Sequence, residues 1–78
     1  MYDTVDGIRI GKKIKEMRIQ REMTAAELAR ALGTSSSAVN MYECGQRIPR
    51  DEIKIKIAEL FDASVEAIFY PKQQHETQ

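Results

Sequence analysis

The sequence predicts an all-α domain of five short helices. Apolar residues recur every three or four positions along most of the chain, which is the period of amphipathic helices. Glycines and prolines interrupt this pattern at the points where helices should end or begin. The 78 residues suffice for one small core, so we expect a single domain in which nearly every large apolar residue is needed inside.

The first two helices are predicted from apolar periodicity and from the chemistry of their ends. The first should cover residues 9–21. Its apolar face consists of Ile10, Ile14 and Met17. The second should cover residues 25–32, because Thr24 and Glu27 have the spacing of a capping box, in which each side chain binds the other residue's backbone N–H. Gly33 then supplies the left-handed residue that ends the second helix.

The third helix begins after only a short polar turn. Ser35 can cap it, and it should continue to about Glu43, shortly before Gly45. One side carries residues that can pack on the first two helices: Ser35, Ala38, Val39 and Tyr42. The opposite side is small, mostly polar and uncharged: Ser36, Ser37, Asn40, Met41 and Cys44. A helix face that only meets solvent usually carries Lys or Glu, so this second face is predicted to enter a groove of a partner.

Two patterns compete in the fourth element. Residues 53–57, IKIKI, alternate like a strand. Over 51–61, however, four apolar residues form a helical stripe: Ile53, Ile57, Leu60 and Phe61. A lone strand has no partner for its backbone, so a helix is favoured, with Ile55 partly exposed or covered by a partner. Ser64 can cap a short fifth helix, which Pro71 ends.

Charge is separated along the chain although the net charge is zero. Residues 9–50 carry nine basic and four acidic residues, a sum of +5, whereas residues 1–8 carry −2 and residues 51–78 carry −3. A locally cationic span favours phosphate binding more than the total charge suggests. The expected organisation is an N-terminal extension over 1–7, the helical domain over 8–70 and a disordered tail over 71–78.

Several other classes of protein are disfavoured. No apolar run approaches the roughly 20 residues of a membrane span, and the N-terminus lacks the layout of a signal peptide. A single cysteine, Cys44, cannot form an internal disulfide, which favours a cytoplasmic protein. The sequence has one histidine, His75, in addition to that cysteine. These are too few ligands for a zinc site, so neither a metal site nor a cofactor is expected. No pattern places Ser, His and Asp together, so we do not expect an enzyme.

The most specific pattern lies within residues 24–49. Its elements are Leu28, Ala29, Gly33, Val39, Tyr42, Glu43, Gly45 and Pro49. Together with IGKKIKEMR before it and IKIAELFDASVEAIF after it, this spacing resembles the Cro/phage-repressor type of helix-turn-helix domain, also called the XRE family. The resemblance implies a five-helix, lambda-repressor-like fold. It also implies a homodimeric transcriptional regulator, most simply a repressor, that binds double-stranded DNA sequence-specifically with residues 35–43 in the major groove.

The resemblance further implies which residues contact DNA. Base contacts would come from Ser36, Ser37, Asn40 and Met41. Phosphate contacts would come from Lys12, Lys13, Ala25 at the start of the second helix, Arg47 and Arg50. An ion pair between Arg18 and Glu43 would hold the third helix against the first.

Departures from the family pattern leave two questions open. The base-contacting face has no Arg, Lys or Gln, so bidentate recognition of guanine is missing and direct discrimination should be modest. Such a face also fits a protein-interaction module on the same fold, such as an antitoxin or an anti-repressor. Ala25 replaces a common glutamine, and Asp51 and Lys54 replace apolar residues of the fourth helix. The fifth helix and Ile55 are either plain core or a dimer surface, since a chain this short rarely covers so many apolar residues by itself.

Overall fold

The computed structural model describes residues 4–71, and within them the chain forms five α-helices. They are α1 (Thr4–Gln20), α2 (Ala25–Leu32), α3 (Ser36–Glu43), α4 (Asp51–Leu60) and α5 (Val65–Phe69). The all-α, five-helix class is therefore confirmed, and residues 53–57 are helical rather than a strand. The expected disordered tail falls outside the described residues, apart from Pro71.

The first helix begins earlier than its apolar periodicity predicts. α1 starts at Thr4 instead of residue 9, so residues 4–7, expected to belong to an extension, form its first turn. Gly7 is buried there, and a Cβ added to it would lie 3.0 Å from the carbonyl oxygen of Gly45. A glycine contributes no apolar side chain to the periodic pattern, which is why the sequence underestimates this helix.

All five helices contribute to one core. Its largest fully buried side chains are Ile10, Ile14, Leu28, Leu32, Val39, Pro49, Ile57, Ile68 and Phe69. Met17, the third residue of the predicted α1 face, is half-buried and packs against this cluster. Because α3 packs on both α1 and α2, it has one side inside the core and the other directed away from it.

Three helices begin with the predicted hydrogen-bonded caps. The Glu27 N–H donates to Thr24 Oγ1 at 3.0 Å, and the Thr24 N–H donates to Glu27 Oε1 at 2.8 Å, which completes the capping box of α2. Ser35 and Ser64 cap α3 and α5, each accepting a 3.0 Å bond from the backbone N–H three residues later. These bonds satisfy donors that a helix start otherwise leaves unpaired.

Helices α1 to α4 all end with one residue in the left-handed region. These residues are Glu22 (φ 56°), Gly33 (φ 73°), Gly45 (φ 80°) and Asp62 (φ 56°). After α1, the Met23 N–H returns to the carbonyl of Arg18 at 3.1 Å, and the other three ends repeat this bond at 2.9 Å. This is the Schellman motif. The two glycines were predicted as helix ends, whereas the two acids carry no comparable signal.

Replacing Glu22 with glycine is expected to stabilise the fold by about 1 kcal/mol and to raise Tm by roughly 5 °C. The left-handed conformation costs a side chain about 1–2 kcal/mol, part of which the greater freedom of glycine in the unfolded chain offsets. Thermal unfolding followed by circular dichroism measures the change. Glu22→Ala removes the same charge from the helix end but keeps Cβ. If alanine stabilised as much as glycine, backbone strain would not be the cause.

Lys54 links α4 to α5 through a buried ammonium group. Only 5% of the residue is exposed. Its Nζ donates to the Tyr70 hydroxyl at 2.6 Å and lies 5.5 Å from the ring centre of Phe69 and 4.9 Å from that of Tyr70. The Asp51 carboxylate lies 3.8 Å away. A cation against two aromatic rings with a hydroxyl acceptor is a stable arrangement, so the departure from the family pattern at this position still packs α5 onto α4.

Candidate nucleic-acid interface

The two sides of α3 are oriented as the sequence predicts. Ala38, Val39 and Tyr42 are 5%, 0% and 5% exposed and lie in the core. The outer side forms a ridge of Ser36, Ser37, Asn40, Met41 and Cys44, all exposed except Met41, which is half-buried. Ser35, predicted to lie on the packing side of α3, is instead exposed, because its hydroxyl accepts the capping bond at the start of the helix.

The ridge carries short groups that can both donate and accept hydrogen bonds. A serine hydroxyl can pair with several bases, and an asparagine amide can bind the N6 and N7 atoms of adenine together. Met41 offers an apolar contact of the kind that a thymine methyl group makes. The ridge therefore has the size and chemistry to lie against base edges, and it lacks the acidic groups that phosphates repel.

Arg18 and Glu43 form the ion pair that the family resemblance implies. Arg18 Nε donates to Glu43 Oε2 at 2.7 Å, and Nη2 donates to Oε1 at 3.0 Å, so the contact is bidentate. Nη1 also donates to the carbonyl oxygen of Met23 at 2.8 Å. The two side chains are only 14% and 7% exposed. The C-terminal end of α3 is thus held to the end of α1 by a largely desolvated pair.

The pair also raises the pKa of Arg18. Its hydrogen bonds with Glu43 stabilise the charged guanidinium and outweigh burial, which acts in the opposite direction, and the negative charge of Glu43 adds to the rise. Arg18 therefore stays charged throughout the neutral pH range, as arginine side chains in proteins do.

A close approach between α1 and α3 sets their spacing. Gly11 is buried in α1, and a Cβ added there would lie 2.4 Å from the carbonyl oxygen of Tyr42 and 2.6 Å from that of Glu43. Real Cβ atoms do not come so close to backbone atoms, so only glycine permits this packing. Sequence reasoning missed Gly11, although a glycine within a predicted helix is a signal because it lowers helix stability.

The predicted phosphate-binding residues lie on three different elements. Arg47 and Arg50 are exposed in the segment between α3 and α4 and line one polar groove. Lys12 and Lys13 are exposed on α1 and line a separate shallow depression together with Arg9. The structure therefore brings the two arginines together and the two lysines together, but as separate cationic groups.

The start of α2 is a weaker anion site than the resemblance suggests. Ala25 is its first residue and is half-buried, and the capping box occupies the N–H groups of Thr24 and Glu27. The N–H groups of Ala25 and Ala26 remain directed out of the helix end. The Glu27 carboxylate sits beside them, however, and its negative charge reduces the attraction of this end for a phosphate.

A recognition helix with a small, uncharged outer ridge, fixed to a scaffold helix and bordered by cationic side chains, defines a DNA-binding domain of the helix-turn-helix class. The sequence profile of the helix-turn-helix family matches residues 14–68, and the chain belongs to this family, in its Cro/C1-type form.

The proteins similar to this chain include a transcriptional regulator and a protein of known crystal structure. An uncharacterised HTH-type transcriptional regulator from Archaeoglobus fulgidus is 37% identical over 57 residues, which are 73% of this chain and 80% of that protein. The crystal structure of the restriction-modification controller protein C.AhdI from Aeromonas hydrophila superimposes with a TM-score of 0.76 at 26% identity. The match covers 83% of this chain and 98% of that one. Within residues 4–71, no helix is long and apolar enough to cross a membrane.

Proposed function

We propose that this DNA-binding transcriptional regulator places α3 in the major groove of double-stranded DNA and represses by occupying its site. The observation that carries the proposal is the exposed ridge of α3, in which Ser36, Ser37 and Asn40 face outward while Val39 and Tyr42 lie in the core. A groove reader needs such a thin, uncharged surface on a rigid support.

Phosphate contacts would supply most of the affinity. Arg47 and Arg50 lie in the segment between α3 and α4. From there their side chains can reach the DNA backbone that borders the major groove. Lys12 and Lys13 provide a second cationic group on α1. Each neutralised phosphate releases counterions, so binding should weaken steeply with salt. The small ridge would then add modest sequence discrimination.

The regulator would act as a homodimer in the cytoplasm, where its DNA lies. Ile55 and Tyr70 are each 50% exposed. They line an apolar groove between α4 and α5 together with Val65. A second copy packed there about a two-fold axis would cover these side chains and present two α3 ridges to half-sites about 34 Å apart.

Two substitutions are expected to separate affinity from specificity. Arg50→Ala should weaken binding to every duplex and lower the steepness of its salt dependence by about 0.9 per lost phosphate contact. Asn40→Ala should instead change the preference between sites, by about 1–3 kcal/mol at one base pair. Fluorescence anisotropy with a selected site and a scrambled duplex, at several salt concentrations, measures both effects.

Lys15→Ala is the matched control, because Lys15 is exposed on α1 but lines neither cationic surface. If Asn40→Ala weakened all duplexes equally, α3 would not read bases. No binding of the wild-type protein to any duplex at micromolar concentration and low salt would favour the protein-interaction module instead.

A further inference from the structure

The groove that contains Arg47 and Arg50 holds a third cationic side chain, Lys56 of α4. Its walls come from the turn after α2, represented by Gly33 and Thr34, from the segment after α3 and from the first two turns of α4. Residues more than twenty positions apart thus converge on one polar surface. The sequence alone does not associate Lys56 with the two arginines.

The ammonium group of Lys56 lies at the edge of this groove. Nζ donates to the carbonyl oxygen of Leu32, the last residue of α2, at 3.4 Å. It also lies 3.6 Å from the position that a Cβ on Gly33 would take, so the absence of a side chain there leaves the groove open. An ammonium has three N–H donors, and this bond uses one of them.

One acidic residue, Glu52, also lines the groove but leaves it cationic. Its carboxylate lies 4.0 Å from Arg50 Nη1, and the two side chains are 70% and 71% exposed. Such an exposed pair is weak and is easily exchanged for a stronger anion. Three cations against one carboxylate favour an anionic ligand with several oxygens, and a phosphate has that chemistry.

We propose that this groove binds a backbone phosphate of the DNA duplex and that Lys56 is its third ligand beside Arg47 and Arg50. The occupant is the duplex because Thr34, which lines the groove, directly precedes Ser35, the cap of α3. The groove therefore lies beside the start of the recognition helix, close to the exposed Ser36 and Ser37. This inference rests on the proposed DNA-binding function. It adds a residue from α4 to the interface.

Lys56→Gln is expected to reduce affinity for selected and scrambled duplexes alike. It should also make the slope of log affinity against log salt less steep by about 0.9. The affinity advantage of the wild type should therefore shrink about 3.5-fold between about 50 mM and 200 mM salt. Fluorescence anisotropy over this salt range measures the slopes. Lys56→Arg should retain the wild-type slope, and Lys15→Gln serves as the exposed control that leaves it unchanged.

A second measurement locates the contact. Duplexes with one neutral methylphosphonate at each backbone position in turn should reveal a position where the wild type loses affinity and Lys56→Gln does not. Thermal unfolding of Lys56→Gln should match the wild type, since the side chain is exposed and its bond to Leu32 is long. This result shows that a changed slope does not reflect a damaged fold.

The two proposals fail in different ways. If the wild type and Arg50→Ala show the expected salt behaviour while Lys56→Gln keeps the wild-type slope, the inference about Lys56 is wrong. A loss confined to some sequences would also overturn it, because a phosphate contact acts on all of them. If the wild type binds no duplex, the proposed function itself is wrong.

Discussion

Replacing Glu43 with alanine is expected to remove most of the stability of this domain. The substitution leaves the guanidinium of Arg18 in a site that is 14% exposed, without its bidentate partner. Breaking a buried ion pair in this way costs about 3 kcal/mol or more. Domains of this size are rarely more stable than about 5 kcal/mol, so the variant should retain about 2 kcal/mol or less and unfold at a much lower urea concentration than the wild type. Urea unfolding followed by circular dichroism measures the loss.

Two further variants test whether the instability of Glu43→Ala comes from the broken ion pair or only from the loss of a carboxylate. Glu16→Ala removes an exposed acid from α1 and should change stability by less than about 0.5 kcal/mol. The double variant Arg18→Met/Glu43→Leu leaves no orphan charge, so it should be more stable than Glu43→Ala alone. If Glu43→Ala behaved like Glu16→Ala, the pair would not hold α3 in place. DNA binding should fall together with stability, because the same bonds fix the recognition helix.

Gly11→Ala is expected to destabilise the fold by about 2 kcal/mol although alanine is the better helix former. The new Cβ would lie 2.4 Å from the Tyr42 carbonyl oxygen, so α1 and α3 would have to move apart. This separation would cost more than the roughly 1 kcal/mol that alanine contributes to the helix. Chemical denaturation measures the net change in the free energy of unfolding. We expect this free energy to fall, because the steric conflict outweighs the gain in helix propensity.

Two other glycines provide a graded comparison. A Cβ on Gly7 would lie 3.0 Å from the Gly45 oxygen, so Gly7→Ala should cost less than Gly11→Ala. Gly33 has open space, with Lys56 Nζ 3.6 Å away, but its φ of 73° disfavours any side chain. Gly33→Ala should therefore cost about 1 kcal/mol through backbone strain alone. A stabilised Gly11→Ala would show that the helices are not in close contact at this point.

Residues within one helix or one turn made most of the fold predictable. The ends of α2 follow from Thr24, Glu27 and Gly33, whose hydrogen bonds and backbone angles are local. The inside and outside of α3 follow from helical period, because Val39 and Ser37 are about 200° apart around the axis. The start of α1 at Thr4 was not predictable from the same period, because Gly7 adds no apolar side chain to the pattern and its contact with Gly45 exists only in the folded chain.

The site divides in the same way. The residue types and orientation of the α3 ridge could be predicted, as could the exposure of Arg47 and Arg50. The position of Lys56 in the groove with the two arginines could not be predicted, since it arises only when α4 lies against the end of α2. The family pattern marks Lys54 as a polar residue in an apolar position, but its burial beneath Tyr70 depends on the packing of α5.

The local sequence by itself determined where most of the helices begin and end and which face of α3 meets solvent. It could do so because capping bonds and helical period act over a few neighbouring positions. Tertiary packing decided how near α1 comes to α3, which cations share a groove and how Lys54 is satisfied. These depend on distances between segments far apart in the chain, which local hydrogen bonding does not specify.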